Sequence, residues 1–203
     1  ALVDKSLDLK PLEKFNVEVK EADGRIQLLT RGKSTHGAMP HTGVNATWEM
    51  FRALSACLPD DKTLAFVAEK MCRDVNGKAW GFPLEDEVSG KITHSIGVVS
   101  LKNGNLKIKL DVRYPVTYKD SFVAEAMKKN SIDSFKIEEG HIKQPLHVDA
   151  DSPLVKGLLE VYNKEMSCDA KPIAIGGGTY SRMLPMCVAF GPSFPGDTQV
   201  IHE

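Results

Sequence analysis

Apolar and polar positions alternate through Phe15-Asn16-Val17-Glu18-Val19-Lys20-Glu21, break at Asp23-Gly24 and resume through Ile26-Gln27-Leu28-Leu29, which predicts a β-hairpin. A polar loop from Gly32 to Thr42 follows. Beyond it, Ala46, Met50, Phe51, Leu54 and Leu58 recur at helical spacing, and Pro59-Asp60 ends that helix. A second helix is expected from about Lys62 to Cys72. Residues 74–93 carry Gly77, Gly81, Pro83 and Gly90 without a steady period and read as irregular structure. A second hairpin runs from Ile96-Gly97-Val98-Val99-Ser100-Leu101 through the Asn103-Gly104 turn into Leu106–Arg113. Phe122, Ala126 and Met127 share one face of a helix from Lys119 to Lys129, and Ser134–Glu138 reads as a closing strand.

The pattern changes around Gln144-Pro145. A helix is expected from Asp151-Ser152-Pro153 through Tyr162, with Ser152 as its cap and Pro153 in its first turn. Then come an apolar run, Pro172-Ile173-Ala174-Ile175, a glycine triplet, a short helix and a last expected strand, Met186–Phe190. The order of elements predicts an α+β fold for residues 1–145, with helices on one face of the sheet, followed by an α/β piece at 146–203. That second stretch is short for a domain with its own core.

Composition narrows the function classes. The 203 residues carry 26 Lys+Arg against 27 Asp+Glu, a formal net charge of −1, with 42% hydrophobic and 26% charged residues. These are the proportions of a folded domain. A balanced charge lacks the clustered cations that nucleic-acid affinity needs, so no nucleic-acid partner is expected. No apolar run approaches the ~20 residues that span a bilayer, so no membrane partner is expected either. Cys57, Cys72, Cys168 and Cys187 form no C-x-x-C pair and read as free, buried structural thiols in a reducing compartment, hence a cytoplasmic protein.

Candidate chemistry lies in loops. Gly32-Lys33-Ser34-Thr35-His36-Gly37-Ala38-Met39-Pro40 sets a histidine among small residues, where an imidazole can approach a ligand closely; an exposed loop histidine has the same spacing and is commoner. Arg113 ends an amphipathic strand, and its planar fork suits a carboxylate, or equally a surface ion pair. Gly176-Gly177-Gly178-Thr179 lies between a strand and a helix, and is either an anion-binding nest or a tight turn. The chain closes on His202-Glu203, residue types that bind metal or move protons. His147-Val148-Asp149 has metal-compatible spacing but precedes a helix cap, and reads as a decoy. His41, His94 and His141 have no partner pattern and read as structural or exposed.

Four motifs occur in one order: Gly32–Gly37 with Pro40 and Gly43-Val44-Asn45-Ala46; Asp111-Val112-Arg113-Tyr114-Pro115; Gly176-Gly177-Gly178-Thr179-Tyr180-Ser181-Arg182; and Phe194-Pro195-Gly196 leading to His202. Together they resemble dipeptidase V, the bacterial Xaa-His dipeptidase or carnosinase-like branch of the di-zinc aminoacylase and carboxypeptidase superfamily. The resemblance implies a zinc-dependent metallopeptidase that hydrolyses dipeptides or short peptides with a free C-terminus. Residues 1–145 would be a ferredoxin-like lid domain, and 146–203 the C-terminal part of the α/β zinc-peptidase catalytic domain. By the same resemblance, His36 would reach over the active site to the tetrahedral oxyanion and Arg113 would hold the substrate carboxylate. Gly178 would lie near the bound substrate, and His202 would be the last zinc ligand.

The rest of the pattern is not found in these residues. The family's H-x-D pair, bridging Asp, adjacent Glu residues and further Asp have no counterpart, and one histidine cannot hold two zinc ions. The expectation is a fragment that supplies the lid and one metal ligand, inactive alone and at most a weak zinc binder. Other readings remain: a non-catalytic ferredoxin-like dimerisation module, with a homodimer through the lid sheet or helices, or an N-acyl-amino-acid deacylase of the same superfamily.

Overall fold

A computed structural model describes residues 1–191 and Phe194. Strands β1 (Leu2–Val3), β2 (Val17–Ala22) and β3 (Arg25–Thr30) form an antiparallel sheet in the order β1-β3-β2. The β2–β3 hairpin is the expected one. Its turn works because Asp23 and Gly24 both take positive φ (48° and 76°), the backbone sense that lets two right-twisted strands continue through a two-residue turn.

Helix α1 (Ala46–Cys57) begins where Asn45 accepts the Thr47 amide at 3.0 Å, and it buries Phe51, Ala53 and Cys57. Helix α2 (Lys62–Phe66) is capped by Asp61, which accepts from the amides of Thr63 and Leu64, and it runs on as a wider π-type turn over Val67–Met71. Strands β4 (Glu85–Asp86) and β5 (Gly90–Lys91) make a small ribbon. Strands β6 (Thr93–Lys102) and β7 (Asn105–Arg113) make the long second hairpin around Asn103-Gly104, with a register shift between Ile96 and Val98. Helices α3 (Asp120–Lys129) and α4 (Pro153–Met166) follow; Ser152 caps α4 through the Val155 amide at 3.4 Å.

The hydrophobic core forms two clusters. One gathers Phe51, Phe66, Val67, Met71, Trp80, Phe82, Ile92 and Ile96 with Val123 and Met127; the other gathers Leu12, Ile26, Leu28, Ala53 and Cys57. Trp80, Phe82 and Ile92 come from the stretch expected to be irregular. They are buried from turns, where no periodicity announces burial.

Three expected strands are not strands. In 134–138, Phe135 and Ile137 do pack on the core while their neighbours face out, so the alternation marks a real two-sidedness. No ladder forms along it, however, because no neighbouring strand supplies the hydrogen bonds. Residues 172–175 and 186–190 are likewise unpaired among the described residues, with Ile173 73% and Met186 65% exposed. Apolar composition alone does not make a strand where nothing pairs with its edge. After residue 145 the described residues bury only Val155 and Ser181.

The thiol expectation also needs correction. All four cysteines are free, and Cys57 and Cys72 are buried, but Cys187 is half-buried and Cys168 is exposed. Cys168 follows the left-handed Ser167 (φ 50°) that ends α4, which turns it off the helix and away from packing.

Candidate functional site

The His36 loop is closed at its neck by a two-way backbone bridge. The amides of Lys33 and Val44 donate to each other's carbonyls at 2.9 and 3.0 Å. Glycines make that neck possible: a Cβ on Gly43 would stand 2.5 Å from Thr35 Cγ2 and 2.8 Å from the Lys33 carbonyl. Inside the loop, the Met39 amide donates to the His36 carbonyl at 2.8 Å, and the Thr35 and Thr42 hydroxyls both donate to the Met39 carbonyl. Asn45 fixes the whole loop to the second hairpin. While its oxygen caps α1, its Nδ2 donates to the Ile96 carbonyl on β6 at 3.0 Å.

The His36 imidazole is half-buried, and its Nδ1 accepts the Ala38 amide at 3.2 Å. A nitrogen that accepts an N–H carries no proton, so the neutral ring is the tautomer with its proton on Nε2. That makes Nε2–H a donor.

Arg113 ends β7, register partner of Thr93 on β6. Two residues earlier on the same face of the strand, Asp111 meets it in a two-pronged pair: Nε donates to Oδ1 at 3.1 Å and Nη2 to Oδ2 at 2.9 Å. The remaining terminal nitrogen, Nη1, donates to the carbonyl of Gly176, the first glycine of the triplet. A Cβ on Gly37 would stand 2.5 Å from Asp111 Oδ2 and 2.9 Å from Arg113 Nη2, so the histidine loop rests directly on this ion pair.

The triplet closes the arrangement. None of its glycines has positive φ; Gly176 and Gly178 allow close approach. A Cβ on Gly176 would stand 2.9 Å from Ala38 Cβ, and one on Gly177 would stand 3.6 Å from His36 Cε1, an ordinary contact. A Cβ on Gly178 would stand 2.8 Å from Nη1 of Arg182. His36, Arg113 and the triplet, separated by up to 142 positions in the chain (178 − 36), therefore share one surface. Gly178 faces Arg182. His202 lies outside the described residues.

Two members of this group carried no role in the sequence reading. Asp111 was legible as the i−2 neighbour of Arg113 on an alternating strand. Arg182 was not, because its approach to Gly178 depends on how the chain turns through Tyr180–Met183. His147 and Asp149 are exposed before α4 and His41 and His141 are exposed, whereas His94 is 1% exposed.

Zinc was expected from the resemblance. Among the described residues no group of three or more His, Cys, Asp or Glu side chains converges as a metal site would require, so the described residues by themselves do not fit a zinc pair. No described helix is long and apolar enough to cross a membrane.

No protein-family model matches the sequence. The chain is similar to bacterial proteins named as dipeptidases. It is 36% identical over 185 residues to Putative dipeptidase YtjP of Bacillus subtilis (strain 168), covering 89% of this chain and 40% of that protein. To Putative dipeptidase MW1694 of Staphylococcus aureus (strain MW2) it is 31% identical over 189 residues, 89% of this chain and 39% of that protein. Putative dipeptidase SAUSA300_1697 of Staphylococcus aureus (strain USA300) is 30% identical over the same length. The chain thus spans about 40% of the length of the curated relatives it matches, and nearly all of it is homologous to proteins of that name.

Proposed function

We propose that this chain forms the substrate-gripping part of a dipeptidase, acting on dipeptides or short peptides with a free C-terminus. The observation that carries the reading is the convergence of His36 and Arg113 on the glycine triplet, a hydrogen-bond donor and a cation set against one run of backbone. Similarity to proteins named as dipeptidases supports the peptide as substrate class.

In this reading the peptide lies along the triplet. The substrate carboxylate is held at Arg113, in exchange for the Gly176 carbonyl that occupies Nη1. His36 presents Nε2–H to the carbonyl oxygen under attack, where negative charge develops, and the Ala38 amide on Nδ1 keeps the ring in the donating tautomer. A donor fixed in place before reaction stabilises the transition state without reorganising. Gly176 and Gly178 keep this floor narrow, since a side chain at either would run into Ala38 or Arg182. The resemblance assigns the intact enzyme two zinc ions that activate water. The described residues offer no cluster for them, so the role given to this chain is binding and oxyanion stabilisation, and alone it is expected to be inactive. Residues 1–145 act as the ferredoxin-like lid and 146–203 as part of the α/β catalytic domain, in a cytoplasmic protein whose four thiols stay reduced.

The test is hydrolysis of dipeptides by the whole enzyme against the same dipeptides blocked as C-terminal amides. Preference for the free acid by tenfold or more in kcat/KM is expected. Equal rates on both, or no hydrolysis of either, would overturn the assignment.

A further inference from the structure

The His36 loop meets the β6–β7 hairpin at two places. In its middle, Gly37 sits so close to the Asp111–Arg113 pair that a Cβ there would come within 2.5 Å of Asp111 Oδ2. At its base, just past the Lys33–Val44 bridge, Asn45 Nδ2 donates to the Ile96 carbonyl at 3.0 Å. The two places are neighbours on the hairpin, since Ser95, next to Ile96, is the register partner of Asp111. Ile96 also borders the register shift of β6, so the anchor lies where the ladder of that strand is interrupted. Asparagine at this position does more than the helix requires. Ser, Thr, Asp and Asn all cap helix N-termini well, because each offers an oxygen to an amide of the first turn. Here one side-chain atom must accept from the Thr47 amide while another donates to the Ile96 carbonyl. Of those four side chains only the amide of asparagine supplies an acceptor and a donor on separate atoms; a hydroxyl would have to serve both partners from one oxygen on a shorter side chain.

We propose that Asn45 is a positioning residue for the reaction at this site: its hydrogen bond from Nδ2 to Ile96 sets where the His36 ring stands relative to the hairpin that carries Arg113. The proposal rests on the reading of His36 and Arg113 as two groups acting on one peptide, and adds to it the residue that fixes the distance between them. The Ala38 amide selects the tautomer of His36, and the Thr35 and Thr42 hydroxyls shape the loop from within, but these bonds begin and end inside the loop. The bond from Asn45 crosses from the base of the loop to β6. A fixed donor works by its placement, so slack of about 1 Å at the base of the loop can cost ~100-fold in rate although no reacting group has changed.

The experiment compares Asn45→Ser and Asn45→Asp in the whole enzyme. Both keep an oxygen for the Thr47 amide, so the melting temperature should stay within a few degrees of wild type, and both remove the amide nitrogen that reaches Ile96. With alanylalanine as substrate, kcat is expected to fall about ten- to a hundredfold while KM changes less than about threefold, because Arg113 keeps its hold on Asp111. The His36 ring nitrogens, followed by 15N NMR, should move from their wild-type positions in both variants. Wild-type kcat in either folded variant, or unmoved His36 signals, would overturn the proposal, as would a loss of kcat that only tracks the fraction of protein unfolded. If the wild-type enzyme hydrolyses no dipeptide, the reading of the site fails; displaced His36 signals then still support the anchoring by Asn45, and unmoved ones overturn it as well.

Discussion

Arg113 Nη1 donates to the carbonyl oxygen of Gly176, joining residues 63 positions apart and bringing the end of β7 against the glycine triplet. Because Asp111 already holds the other side of the same guanidinium, the fork cannot swing away when that carbonyl is exchanged for a ligand. Arg113→Ala in the whole enzyme should therefore raise the KM for dipeptides by about ten- to a hundredfold, the usual cost of losing a charge-assisted pair. Steady-state kinetics check this, and an unchanged KM would remove Arg113 from substrate binding.

The Nε2–H donor of His36 gives a different kinetic signature. Removal of a donor that matters only in the transition state lowers kcat, so His36→Ala should cost about 100- to 1000-fold in kcat with little change in KM. Near-wild-type turnover would exclude the oxyanion role.

Gly37 tests the geometry without touching either functional side chain. A methyl at this position would stand 2.5 Å from Asp111 Oδ2, so Gly37→Ala must push Asp111 and Arg113 apart or lift the loop that carries His36. Activity is expected to fall more than tenfold while the melting temperature changes by only a few degrees. A full loss of folding would show instead that the loop belongs to the stability of the domain.

His94 predicts a pH dependence of stability. It is 1% exposed against Trp48, Trp80 and Phe82, and burial holds its pKa below the ordinary 6.5, partly opposed by the nearby Asp74 carboxylate and backbone. Above pH 6.5 the ring is neutral in both folded and unfolded chains. Below it the unfolded chain takes up the proton first, so stability should fall as the pH drops from 6.5 toward the lower folded value. Melting curves between pH 7.5 and 5.5 check the slope, which His94→Leu should flatten; an identical slope in that variant would clear His94 of the effect.

Cysteine labelling separates the buried thiols from the exposed one. Burial pushes the Cys72 thiol up to about 12, against a weak lowering by Arg52, so almost none of it is thiolate at neutral pH. Iodoacetamide at pH 8 should label Cys168 well before Cys57 or Cys72. Early labelling of Cys72 would mean that the core opens around it.

Local pattern carried most of the first 130 residues: both hairpins, α1, α2 and α3 follow from alternation, helical spacing and Asn-Gly or Asp-Gly turns, signals that act within a few residues. The expected strands at 172–175 and 186–190 failed for the opposite reason. A strand is defined by its neighbour, and sequence periodicity carries no information about whether a neighbour is there. The candidate site divides in the same way. His36, Arg113 and the glycine triplet stood out as residue types in loops and at a strand end, but the Asp111 clamp needed the face of β7. Arg182 needed the tertiary path that sets it under Gly178. The buried aromatic group around His94 was hidden because Trp80 and Phe82 come from turns without a period.

The central claim is that His36 and Arg113 act on one bound ligand across the triplet. A dipeptide titration of the 15N-labelled protein, following the His36 ring nitrogens and Arg113 Nε by NMR, tests it most directly. The account predicts that both signals move along a single saturation curve with one Kd, and that the C-terminal amide shifts Arg113 far less. Signals that saturate at different concentrations, or an Arg113 signal indifferent to the dipeptide, would contradict it.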